Sequence, residues 1–241
     1  MLFFILLHVF VCIQHVSARW VPQMENSKLF EGDIQLNPSE KLIVKNTYGS
    51  LKRGRWPNNT VPYDLSRINF RNHHYILNAI EEYHKHTCLK FVPKTTELTY
   101  ISFYSGDGCS SPVGYWYRRI NNISLSLGCF QIGTIMHEIG HSIGLFHEQS
   151  RTDRDDFVEI NWKNVPLKER SNFDKYPSLI DSLGTLYDYY SIMHYGENAF
   201  GGGQRTMTTK DPAMQKVIGT AKGFSAIDIK QINLMYSCPG Y

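Results

Sequence analysis

The stretch His137-Glu138-Ile139-Gly140-His141-Ser142-Ile143-Gly144-Leu145-Phe146-His147-Glu148 constrains this chain more than any other. His137 and His141 are one helical turn apart, so a helix over residues 133–143 would put both imidazoles on one face. Glu138 follows the first of them, placed to reach a water between the two. Gly144 can adopt a positive φ, which ends a helix and turns the chain back. That turn would deliver His147 as a third nitrogen. Three neutral imidazoles with one position left open describe a catalytic rather than a structural zinc site. The competing reading is a helix that carries surface histidines. His73, His74, His84 and His86, grouped on another predicted helix, fit that plainer reading and are expected on its solvated side.

The rest of the chain must supply a core large enough to hold such a site. The 241 residues are 42% hydrophobic and 13% aromatic, which excludes low complexity and wholesale disorder. A net charge of +3 is too mild to argue for a nucleic-acid partner. Residues 1–18 are nearly all apolar up to Val16-Ser17-Ala18 and read as a secretory signal peptide, too short to span a bilayer. No later segment could cross a membrane, so a secreted, extracellular protein is expected. Loss of the leader removes Cys12 and leaves Cys88, Cys109, Cys129 and Cys238, an even number that suggests two disulfides with three pairings open. Asn58 and Asn122 head N-x-S/T sequons.

Residues 19–45 read as a short pro-segment. Lys45, Lys52, Arg53 and Arg55 mark a basic processing stretch, and residues 46–241 suit one compact domain. Apolar spacing at Ile76, Leu77, Ile80 and Tyr83 predicts a helix over residues 70–86. Strands are predicted at Leu89–Val92, at Leu98–Tyr104, and along Ile123, Leu125 and Leu127, which alternate with serines. Ser225 and Asp228 resemble a capping box ahead of a C-terminal helix bearing Ile229, Ile232 and Tyr236. Strands followed by helices give an α+β class.

The segment from His137 to Glu148, continued by Gln149-Ser150-Arg151, resembles the astacin family of secreted zinc metalloproteases, within the metzincins. A glutamate after the third histidine separates astacins from matrix metalloproteases and reprolysins. Tyr187-Asp188-Tyr189 leading into Ser191-Ile192-Met193-His194-Tyr195 is similar to the astacin Met-turn. Phe30-Glu31-Gly32-Asp33-Ile34 is similar to the family's pro-segment motif.

The resemblance covers roughly residues 30–238. It implies a two-lobed domain, with a mixed twisted sheet and the zinc helix in the upper lobe. The lower lobe would be mostly irregular, with the Met-turn and the C-terminal helix. It implies one zinc on His137, His141 and His147, Met193 beneath it, and Tyr195 as an extra ligand that swings away to stabilise the transition state. Glu138 would be the general base, and Asp33 would occupy the metal in a latent zymogen.

It further implies pairing of Cys88 with Cys238 and of Cys109 with Cys129. An activating protease would cut near Lys45-Asn46, and the new amino terminus would pair through water with Glu148; the rival is a cut after Arg55. Substrate, a protein or peptide, would run along an edge strand near Ser110–Val113, where Pro112 lacks an N–H. Lys210, or less favourably Arg205, would attract an acidic residue after the cut. The chain ends shortly after Cys238, so a lone catalytic domain is expected. The alternative function is a catalytically silent secreted binding protein that retains the protease fold.

Overall fold

The computed structural model describes residues 21–36, 54–176 and 181–241. The leader, the processing stretch of residues 46–55 as far as Arg53, and the expected cut at Lys45-Asn46 lie outside the described residues, whereas Arg55 is described and exposed. A five-stranded sheet has the order β2-β1-β3-β5-β4, from β1 (Thr60–Arg67), β2 (Lys90–Pro93), β3 (Ile101–Tyr104), β4 (Cys109–Ser110) and β5 (Asn121–Leu125). All pairings are parallel except β4 with β5, which leaves β4 as an antiparallel edge. Helices α1 (His73–His86) and α2 (Ile132–Ile143) pack together, and the Tyr83 hydroxyl donates to the Met136 carbonyl at 2.7 Å across that contact.

Every residue of α2 from Gly133 to Ile143 is buried, so the imidazoles it carries sit in a low-dielectric core. The remaining structure is sparse. Residues 144–225 contain a two-stranded ribbon, β6 (Val158–Ile160) with β7 (Met207–Thr209), among turns and short 3-10 segments. The C-terminal helix α3 (Ala226–Met235) begins with a complete capping box between Ser225 and Asp228. The result is the mixed α+β architecture expected from sequence.

Two apolar clusters lie within this frame. The larger one joins sheet residues such as Val61, Ile101, Phe103 and Ile123 to Ile135 and Ile139 of α2. Ile192 and Met193, with Ile232 and Tyr236 from the C-terminal region, complete it. The smaller cluster gathers Phe173, Tyr187, Tyr195, Phe200 and Ile218 with the β6–β7 ribbon. Disulfide bonds join Cys88 to Cys238 and Cys109 to Cys129. The first ties the end of α1 to the chain's last turn. The second ties the edge strand to the approach to α2.

Three local expectations differ. Leu127 is not in a strand but 91% exposed in a 3-10 turn. Cys129 N–H bonds to the Ser126 carbonyl at 2.9 Å, and the disulfide draws the chain out of the sheet there. Leu98 likewise precedes β3, in a loop where Glu97 accepts from the Thr95 N–H. The central strand β1 is not among the expected strands, although Val61, Tyr63 and Leu65 alternate; Pro62 argues against a central strand. Pro62 is tolerated because pairing with β3 begins only at Tyr63.

Candidate metal centre

The site is built from a helix, a turn and a visiting segment. Gly144 sits at the end of α2 with φ +117°, in the left-handed region, and its N–H caps the helix on the His141 carbonyl at 2.8 Å. The reversed chain brings the Leu145 carbonyl to His141 Nδ1 at 2.9 Å and His147 into the same space as the two helical histidines. His137 Nδ1 lies 2.7 Å from the Ile192 carbonyl. A carbonyl only accepts, so Nδ1 carries the hydrogen in both rings, and each Nε2 lone pair faces inward.

Into that space comes Asp33 from the segment Phe30–Ile34. Its Oδ2 is 3.2 Å from His137 Nε2 and 3.3 Å from His147 Nε2, and its Oδ1 is 3.4 Å from His141 Nε2. The Nε2 atoms of His137 and His147 are 3.3 Å apart. Ligands at the usual zinc–nitrogen length of ~2.0–2.1 Å at tetrahedral corners would lie roughly 3.3–3.4 Å apart. The residues therefore fit a zinc ion in both chemistry and spacing. All four side chains are buried. Among the described residues, His141 Nε2 and Asp33 Oδ1 accept or donate no hydrogen bond, which fits groups reserved for a metal.

Burial lowers His137 to about 4, so it is neutral near pH 7. Burial also works on His147, but the carboxylates of Asp33 and Glu31 outweigh it and hold it at about 9. Asp33 is correspondingly held well below the usual carboxylate range by His147 and His141, against its own burial. Glu138 is fully buried, and neither of its carboxylate oxygens has a hydrogen-bond partner among the described residues. Burial, with the charge of Asp33, pushes it well above its ordinary value.

Met193 packs its sulfur close against Gly140 of α2, and its carbonyl accepts from the Glu148 N–H at 3.0 Å. Tyr195 lies beside His147, with ring centroids 4.7 Å apart, and its hydroxyl donates to the Glu31 carbonyl at 2.7 Å. Burial raises its phenol well above the usual range, so it is a donor at neutral pH.

The incoming segment pairs with the edge of the sheet. Ser111 N–H donates to the Asp33 carbonyl and Gln35 N–H to the Ser111 carbonyl, each at 2.9 Å, with Ile34 parallel to Ser111. These bonds use Ser111 and make no demand on Pro112. Val21 and Met24, from the start of the same segment, are buried in the large cluster.

A profile of the peptidase family described as Astacin matches residues 49–237. The chain belongs to the astacin family. It is 40% identical over 220 residues to zinc metalloproteinase nas-4 of Caenorhabditis elegans, with 87% of this chain and 69% of that protein covered. It is 40% identical over 214 residues to meprin A subunit beta of Rattus norvegicus, covering 87% of this chain and 29% of the meprin subunit. Among solved structures it is similar to high choriolytic enzyme 1, a hatching enzyme zinc-protease from Oryzias latipes. The TM-score is 0.70 and the identity 33%, over 86% of this chain and 99% of that one. This astacin is thus a zinc-dependent peptidase that acts on proteins or peptides, and no helix among its described residues is long and apolar enough to cross a membrane.

Sequence reasoning brought the three histidines, Glu138, Asp33, Met193 and Tyr195 to one place, and the structure holds them there. Lys210 is exposed at the end of β7; its backbone N–H donates to Phe157, whose ring stacks on Tyr187. Arg205 pairs with Glu197 at 3.1 Å. Glu148 accepts from Arg151 at 3.1 Å and from the Asp188 N–H at 2.8 Å, and burial lifts it to about 8. Three contacts at the site escape sequence reasoning: Glu31 with His147, Ser150 with Glu31, and Asp228, expected only as a helix cap, behind the Met-turn. A carboxylate two residues before Asp33 is the only sign of Glu31, because its partners lie 116 and 119 residues away.

Proposed function

We propose that this astacin is a secreted endopeptidase made as a latent zymogen, with residues 1–18 as leader, 19–45 as pro-segment and 46–241 as catalytic domain. The observation that carries this reading is the Asp33 carboxylate seated among three inward-facing Nε2 atoms. Zinc held by His137, His141 and His147 would polarise the scissile carbonyl and bring the pKa of a water toward ~7.

Glu138, without a hydrogen-bond partner among the described residues and placed one residue after His137, takes the proton from the attacking water and returns it to the leaving amine. Tyr195, released from the Glu31 carbonyl when the pro-segment leaves, gives a hydrogen bond to the developing oxyanion. In the family pattern Tyr195 would also serve as a ligand to the metal between turnovers.

Activation occurs by cleavage near Lys45-Asn46. The new ammonium approaches Glu148, a buried carboxylate that already needs Arg151 as partner. Mass spectrometry that found Trp56 at the mature terminus would refute this pairing. Lys210 selects an acidic residue after the cut, and Asn58, exposed in a turn, carries a glycan more readily than Asn122, whose Oδ1 accepts from Arg67. Quenched-peptide hydrolysis by the trypsin-activated protein tests the core of the reading. Glu138→Gln should abolish phenanthroline-sensitive turnover while zinc stays bound, and substantial residual turnover would overturn it.

A further inference from the structure

The three imidazoles of the site are not supported alike. His137 Nδ1 and His141 Nδ1 lean on the carbonyls of Ile192 and Leu145, both fixtures of the catalytic domain. His147 Nδ1 instead meets the carboxylate of Glu31, at 2.6 Å, and Glu31 belongs to the pro-segment. The other Glu31 oxygen accepts from the Ser150 hydroxyl. Glu31 is 1% exposed and held at φ +49°, a left-handed conformation that L-residues avoid without a compensating contact. Its side chain is therefore placed behind His147, on the side of the ring opposite the Nε2 that a metal would take.

A carboxylate behind a ligating imidazole fixes the ring and raises the donor strength of the opposite nitrogen. Loss of such a partner costs roughly 10–100-fold in metal affinity. We infer that Glu31 is a metal-retention residue: it orients and strengthens His147 as a ligand while the pro-segment is docked, and its departure on activation loosens the hold on zinc. This rests on the reading of Asp33 as the latch. The two carboxylates of one loop then divide the work. Asp33 closes the reactive position, and Glu31 secures the metal before activation.

The experiment uses the full chain, loaded with zinc and titrated with a chelator, with bound metal measured directly and spontaneous peptide hydrolysis measured separately. Glu31→Gln should release zinc at a roughly 10–100-fold lower chelator concentration than wild type. It should remain latent, because Asp33 still closes the site. Ser150→Ala, which leaves every metal ligand and the pro-segment intact, should shift release in the same direction by several-fold. It decides the matter should Glu31→Gln fail to fold. Wild-type zinc retention in these variants overturns the inference. So does a Glu31→Gln chain that hydrolyses peptide spontaneously yet keeps its zinc, since Glu31 would then only dock the segment. Asp33→Asn separates the two ideas: spontaneous hydrolysis supports the latch, whereas continued latency sinks the latch without altering the zinc result for Glu31.

Discussion

On the proposal that Asp33 keeps this enzyme latent, replacement of Gly32 by alanine should release it while leaving the sequence of residues 46–241 unchanged. Gly32 has φ +85°, and a Cβ there would lie 2.5 Å from the Met24 carbonyl oxygen and 2.5 Å from Phe200 Cζ. The left-handed backbone costs an L-residue roughly 1–2 kcal/mol. Overlap in a packed interior costs a further ~1–3 kcal/mol. Phe200 can move, but Met24 is buried in the large cluster and its backbone cannot yield cheaply. The loop that presents Asp33 must shift, and the docked state loses about 2–5 kcal/mol relative to the released one.

At about 1.4 kcal/mol per factor of ten, that moves the closed-to-open ratio roughly thirty-fold to several-thousand-fold. The assay is hydrolysis of a quenched peptide by the purified, zinc-loaded full chain, before and after activating cleavage. The Gly32→Ala chain should hydrolyse peptide before cleavage and match wild type after it, because the proposed cut near Lys45-Asn46 removes residue 32. A variant as latent as wild type would refute the steric reasoning. A variant with reduced activity after cleavage would show that folding, not docking, had been damaged.

Two further measurements address stability. Loss of the Cys88–Cys238 bond, which spans 150 residues, should cost about 5 kcal/mol by the loop-entropy model. Cys88→Ser with Cys238→Ser should lower the melting temperature by roughly 10–20 °C, and an unchanged value would sink the estimate. Asp228 is raised to about 6 by burial, against donors at Ser191, Ile192 and Ser225 that pull it down. Its unfolded value is ~3.9, so the folded state binds more protons between about pH 4 and pH 6. The stability contribution is complete below about pH 4 and is lost as pH rises through about 6, by up to about 3 kcal/mol. Denaturant midpoints from about pH 4 to about pH 7 should fall less steeply for Asp228→Asn than for wild type, and parallel curves would refute the assignment.

Much of the site could be read from the chain because its chemistry is local. His137, Glu138 and His141 are set by helical period, and His147 by a glycine turn three residues earlier; such spacing survives in any environment that permits the helix. The capping box at Ser225 and Asp228 is likewise a matter of neighbours. Short pieces of structure were harder. Strands β6 and β7 have three residues each, too few to show a period, and exist because they pair across some fifty residues. Leu127 followed the alternation of a strand, but a disulfide and a turn outweighed it.

The sequence by itself singled out the three histidines, Glu138 and Asp33 as candidates for ligand, base and latch, since each lies in a pattern of adjacent residues, and the structure gathers Asp33 with the three histidines. Tertiary structure alone decided what stands behind them. That Ile192 supports His137, that Glu31 supports His147 and that Asp228 braces the Met-turn are contacts between segments far apart in the chain. Such contacts depend on how two packed surfaces meet, and no periodicity along one segment encodes the position of the other.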